Sequence, residues 1–121
     1  MILVDSSVWI DFFRDGRSAQ SQTLARCLGD SSVEVGMADL VLFEVMRGFR
    51  EGALMRDAQT LMSALPQVEI GGTAPVLKAA ERYRQLRSQG RTVRSPIDVL
   101  LASYCMTHGM RCCTVTRILN R

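Results

Sequence analysis

Hydrophobic positions along this chain alternate between short continuous runs and spaced, helix-period patterns. Ile2-Leu3-Val4 is an unbroken apolar run that fits a strand buried on both faces. Asp5-Ser6-Ser7 interrupts it and offers caps to a helix whose apolar positions fall at 8, 9, 12 and 13. A second helix is predicted over Ala19 to Leu28, stopped by Gly29, and then a short strand over Val33 to Val35. Asp39 lies at or near the start of a helix that runs through Met46 and closes at Gly48. Glu51 to Leu65 predicts a further helix ended by Pro66, followed by a strand over Val68-Glu69-Ile70 and a Gly71-Gly72 turn. Thr73 to Ser88 reads as an amphipathic helix with Val76, Leu77, Ala80, Tyr83 and Leu86 facing inward. The clearest start signal is Ser95-Pro96-Ile97-Asp98: a cap residue, a proline at the first helical position and an acid at the third. That helix runs to about His108 with Gly109 behind it, and Arg111 to Val115 forms a last strand. Strands alternating with helices predict an α/β fold with a mostly parallel sheet covered on both faces.

A length of 121 residues suits one domain spanning 1–121, and 47% apolar with 22% charged residues is ordinary for a soluble protein. No apolar run approaches the roughly 18 residues of a membrane helix. The opening apolar stretch is cut at Asp5, short of a secretory leader, so the expected location is the cytoplasm and no membrane partner is expected. Cysteines at 27, 105, 112 and 113 show no CxxC spacing, and His108 is the single histidine, which argues against a zinc centre. The thiols are expected to be reduced core or edge residues. Net charge is only +3, yet Lys78 is the sole lysine among 15 cationic residues. Arginine forks suit phosphate, and Arg82, Arg84, Arg87, Arg91 and Arg94 form the densest patch. Compositional bias and a solvated helix face explain the same pattern equally well.

Three carboxylates stand out chemically. Asp5 ends the first strand, and open α/β sheets bind ligands at the carboxyl ends of their strands; its plain alternative is a helix cap. Glu44 sits inside Leu40-Val41-Leu42-Phe43-Glu44-Val45-Met46, where burial costs several kcal/mol unless the charge is paired or metal-bound; its plain alternative is a surface acid snorkelling off the helix edge. Gly48, one turn on, leaves room beside it. Asp98 is the natural acid of a capping box with Ser95, but Leu101, Ala102 and Cys105 follow it on the same helix face, so that face points into the protein. Hard cations such as Mg²⁺ or Mn²⁺ take a few carboxylates plus waters. Such ions activate water and stabilise the leaving oxygen in phosphodiester hydrolysis. The three acids together predict one acidic, metal-binding pocket. Ser6 is a candidate for orienting a metal-bound water or for capping its helix, and Arg94 for a phosphate contact or a loop cap.

Three stretches of the sequence, Leu3 to Ile10, Leu40 to Gly48 and Ile97 to Ala102, together resemble PIN domains, and within them the VapC toxins of bacterial toxin–antitoxin pairs. The resemblance covers nearly the whole chain in order. It implies a PIN-like three-layer α/β/α domain and a Mg²⁺- or Mn²⁺-dependent endoribonuclease that cuts structured RNA of the tRNA or rRNA class. It implies further a homodimer silenced by a VapB-type antitoxin. Asp5, Glu44 and Asp98 fall on three of the family's acidic positions, and Asp5 and Asp98 match its usual metal ligands.

The tail departs from that pattern from about residue 112. The family carries a further acid in a stretch like Leu-Leu-His-x-Asp-x-Asp-Phe, whereas here Thr116 and Ile118 take the places of the two aspartates and no carboxylate side chain follows Asp98. Cys112 to Arg121 can be encoded by TGT TGC ACA GTG ACA AGG ATT TTG AAC CGN. Begun one base earlier on a preceding C, that string encodes Leu-Leu-His-Ser-Asp-Lys-Asp-Phe-Glu, so a frameshift is expected to account for the tail; a coding sequence whose neighbouring frame lacks such an ending rules this out. Loss of the acid at Thr116 predicts weakened metal binding and reduced or absent cleavage. The rival from the binding class is a catalytically disabled domain that still dimerises and holds antitoxin. A haloacid-type hydrolase is disfavoured because Ser7 stands where a second aspartate is needed, and a receiver-like domain because Lys78 lies within a predicted helix.

Overall fold

The computed structural model describes residues 1–91 and 95–113. Its centre is a four-stranded sheet of β1 (Ile2–Val4), β2 (Val35–Ala38), β3 (Gln67–Val68) and β4 (Arg111–Cys113), in the order β3-β2-β1-β4. Every pairing is parallel, with Ile2 opposite Val35, Leu3 opposite Cys112 and Met37 opposite Gln67. Six helices flank it: α1 (Ser6–Arg14), α2 (Ala19–Leu28), α3 (Asp39–Met46), α4 (Ala53–Ser63), α5 (Thr73–Ser88) and α6 (Pro96–His108). The predicted α/β/α architecture is therefore the observed one.

β1 is central because both its neighbours are parallel strands reached through helices, and Leu3 and Val4 are buried accordingly. β1 and β2 approach closely at Gly36, where a Cβ would lie 2.5 Å from Met1 Sδ and 3.0 Å from Leu3 Cδ2. Trp9 is fully buried on α1; its ring stacks on Phe13 (5.8 Å between centroids), and Phe13 in turn meets Phe49 edge-on at 5.7 Å. Leu3, Val41, Met62 and Ile70 complete this core, each contributing about 1.5–3 kcal/mol by burial.

Some boundaries shift. β2 begins at Val35 rather than Val33, because Val33 N donates to Asp30 O in a turn after α2. β3 is confined to Gln67–Val68; Ile70 N leaves the ladder and donates to the Asp39 carboxylate. α4 starts at Ala53, since Gly52 takes φ +155° just before it. The larger correction concerns α5. Ala79 and Leu86 are buried, while Val76, Leu77, Ala80 and Tyr83 are exposed, so the helix is rotated from its predicted orientation. Arg82 anchors that rotation by donating to the Ser103 and Thr107 hydroxyls (2.8 Å each) and the Ser103 carbonyl on α6. The predicted continuation of β4 to Val115 lies outside the described residues. Among the described residues no helix is long and apolar enough to cross a membrane.

Candidate active site

β1 is only three residues long, and the chain leaves it at Asp5 directly into α1. Asp5 N donates to Cys113 O at 2.8 Å, so the backbone of this residue is fixed by the edge strand beside it. The residue occupies the N-cap position of α1, but its side chain makes no capping hydrogen bond. Instead its carboxylate accepts from Ser7 Oγ at 2.7 Å and lies 3.5 Å from Ser6 Oγ. That arrangement separates the two sequence alternatives: the side chain is turned away from the helix amides. Only 3% of Asp5 is exposed.

Glu44 reaches the same place from α3. Ser6 Oγ donates to Glu44 Oε1 at 2.7 Å, across 38 residues of sequence. A hydroxyl has one proton to give, so Glu44 receives it and the longer contact to Asp5 marks proximity of the two acids. Ser6 is itself buried. Arg47 stands 3.9 Å from Glu44 Oε2, but its own side chain is 64% exposed, so this is a weak, solvated partner. Two carboxylates gathered around one neutral hydroxyl repel each other when both are charged, and a cation relieves that cost.

Asp98 is the third residue of α6, behind the Pro96 start, with Ser95 Oγ accepting from Ile97 N at 3.3 Å as the helix cap. The side chain is half-buried, and Leu101, Ala102 and Cys105 below it are buried as its helix face required. α6 precedes β4, and its first turn therefore lies toward the carboxyl edge of the sheet, where β1 ends at Asp5. Yet among the described residues no three His, Cys, Asp or Glu side chains are grouped closely enough to hold an ion. The structure thus joins Asp5 and Glu44 through Ser6, and it places Asp98 on the same edge of the sheet. Arg94 and Thr116 lie outside the described residues.

The donor set is all oxygen, which suits a hard divalent cation; Mg²⁺ characteristically uses one or two carboxylates and completes its shell with waters and substrate phosphate. Asp5 and Glu44 fit that pattern.

A PIN-domain sequence profile matches residues 2–117. The chain belongs to the PIN-domain family. Its relatives include ribonuclease VapC11 of Mycobacterium tuberculosis, 30% identical over 111 residues, covering 92% of this chain and 83% of that protein. A VapC ribonuclease of Mycobacterium bovis matches with the same identity and coverage. Among solved structures, VapC20 of Mycobacterium tuberculosis, described as a Sarcin–Ricin loop cleaving toxin, superposes with a TM-score of 0.72 at 18% identity, over 99% of this chain and 93% of that one. VapBC2 of Rickettsia felis, bound to a DNA fragment from its promoter, gives 0.71 at 15% identity, over 98% and 90%. Those identities speak for the fold alone.

Two features of this PIN domain escaped the sequence. Ser7 was legible only as a cap, since nothing in its spacing marks it as the donor that fixes Asp5. The second is a groove of about 890 Å³ between α1, α3 and the segment that follows α3. Ile10, Phe13, Val45, Phe49 and Leu54 line it, with Arg14 and Arg50 among its polar residues. Its only sequence signal is Gly48-Phe49-Arg50-Glu51-Gly52, an aromatic residue held between two glycines.

Proposed function

We propose that this PIN domain is a VapC-type toxin: an endoribonuclease that uses Mg²⁺ or Mn²⁺ to cut structured RNA of the tRNA or rRNA class. The observation that carries this reading is the junction of Asp5 and Glu44 through Ser6 at the carboxyl end of the central strand. Asp5 and Glu44 would hold the ion, with Asp98 as the proposed third ligand; the ion when bound supplies an activated water and stabilisation of the leaving oxygen. Ser7 holds the Asp5 carboxylate at one oxygen, and Ser6 holds Glu44, so both acids are oriented before any substrate arrives. Ser6 and Arg94 are the proposed contacts to substrate.

The Thr116 position, without an acid, lowers turnover in this proposal. A VapB-type antitoxin is the proposed partner, and the apolar groove along α1 and α3 supports it, as does the likeness in fold to a toxin–antitoxin complex from Klebsiella pneumoniae. A homodimer is proposed with it, checked by sedimentation of the purified chain.

The deciding assay is cleavage of tRNA and rRNA with Mn²⁺, against a chelator control and Asp5→Asn. Metal-dependent cuts lost in the variant support the nuclease. Because no carboxylate side chain follows Asp98, a second reading is a disabled domain that retains antitoxin binding; antitoxin capture with no cleavage under any metal would establish that one instead.

A further inference from the structure

Of the four thiols of this chain, Cys105 lies in the hydrophobic core and Cys27, Cys112 and Cys113 pack against that core. Gly109 turns the chain at φ +65° immediately after α6, Met110 N donates back to Cys105 O at 2.9 Å, and Cys105 Sγ lies 3.9 Å from Arg111 O. β4 therefore starts against the last turns of the helix that precedes it. Successive strand residues point to opposite faces, so Cys112 and Cys113 cannot address the same neighbour. The Cys112 thiol hydrogen-bonds the Cys105 sulfur on the α6 side. Cys113 turns the other way, toward Cys27 of α2, and burial foremost, then the charge of a Cys27 thiolate, pushes its thiol up. The hydrogen bond from Cys112 holds Cys105 below the ordinary thiol range in spite of its burial.

We propose that Cys105 and Cys112 are an oxidisable dithiol pair which a peroxide closes to an intramolecular disulfide, fastening α6 to β4. One thiolate of the pair attacks the peroxide O–O bond, forming a sulfenic acid and releasing hydroxide. The second thiolate attacks that sulfur; the S–S bond forms as the S–O bond breaks, and the departing hydroxide takes up a proton. Two thiols lose two electrons, and one peroxide becomes two waters. Cys105 supplies the attacking thiolate, since the Cys112 hydrogen bond holds it below the ordinary thiol range while Cys112 is itself pushed far above it, and the half-buried Cys112 then resolves the sulfenic acid.

The test treats the intact chain with a few-fold excess of hydrogen peroxide, quenches it, and labels the remaining thiols with a maleimide. Two of four labels are expected to be lost, with the intact mass lower by two hydrogens before labelling and restored by dithiothreitol. Trypsin should link the peptide of residues 95–111 to that of residues 112–117. Cys113 shares the second peptide, so a C27S/C113S variant is run beside the natural chain and should close the bond equally well, while C105S should not. Fragment-ion sequencing of the linked natural peptide makes the same distinction if a variant fails to fold. Full labelling of all four thiols after peroxide, a bond involving Cys27 or Cys113, or a cross-linked dimer would each overturn the proposal.

Discussion

Two aspartates in this protein stand in the same topological position and do different work. Asp5 follows β1 and leads into α1; Asp39 follows β2 and opens α3. Both lie at the carboxyl edge of a parallel sheet, where ligand sites form. Asp39 is committed to the fold: its two oxygens accept from Ile70 N at 2.7 Å and Gly71 N at 3.4 Å, tying the end of β3 to α3. Gly71 suits this close approach, since a Cβ there would come within 3.1 Å of Asp39 Oδ2. Asp5 is oriented by side-chain hydroxyls and lies beside a second carboxylate. Backbone amides turn a strand-end acid into a structural clamp, whereas side-chain hydroxyls orient the other beside a second carboxylate.

Substituting each of the pair is the harshest trial of that contrast. Asp5→Asn is expected to lower metal-dependent RNA cleavage by more than about 100-fold, beyond the usual effect of removing a residue that only orients a metal ligand. Circular dichroism should show the fold intact. Cleavage within a few-fold of the parent would place the chemistry elsewhere. Ser7→Ala should act on the same site one step removed, weakening Mn²⁺ affinity by roughly 10- to 100-fold, with Ser7→Thr restoring most of it. Titration of cleavage against Mn²⁺ reads this directly.

Asp39→Ala should reverse the pattern. Its amides at Ile70 and Gly71 lose their acceptor, which costs about 1–3 kcal/mol of stability in denaturant unfolding, while cleavage per folded molecule stays near the parent value. A nuclease defect without a stability loss would dissolve the distinction between the two aspartates.

The smallest expected effect lies at Asp11. Hydrogen bonds from the Ser18 and Ser21 side chains hold its carboxyl below the usual aspartate value. A carboxylate with a depressed folded pKa contributes stability that is present above its unfolded value and is lost as pH falls through the folded one. Asp11→Asn should therefore lower the melting temperature slightly at neutral pH, where that stability is present, and the two curves should converge as the pH falls below about 4. Asp11 is only partly buried and remains solvated, so the difference will be slight.

Most of the secondary structure was legible because its signals are local. Ser95-Pro96 started α6 at the expected residue, and Gly29 closed α2. Two of the misplacements, in α5 and β3, share a cause. The apolar residues of α5 supported more than one buried stripe, and the choice fell to Arg82, whose hydrogen bonds to Ser103 and Thr107 depend on α6 arriving alongside. The predicted stretch Val68-Glu69-Ile70 stopped short because Asp39 drew away the Ile70 amide, a partner 31 residues distant. The arginine cluster lost its first member to the same interhelical bond, so Arg82 is a packing residue of this fold.

By itself the sequence determined that Asp5 would close a buried strand and that Asp98 would stand in the first turn of a capped helix. It marked Glu44 as an acid in apolar company. Each of these follows from periodicity and capping within a few neighbours. Only the tertiary structure decided that Ser6 would hold Glu44 against Asp5, that Ser7 would orient Asp5, and that Asp39, so similar on paper, would be consumed by the backbone. Those outcomes depend on the register of parallel strands and the rotation of helices, which long-range packing sets. Of the three acids singled out at the start, Asp5 and Glu44 meet around Ser6, and Asp98 stands in the first turn of α6 at the same edge of the sheet.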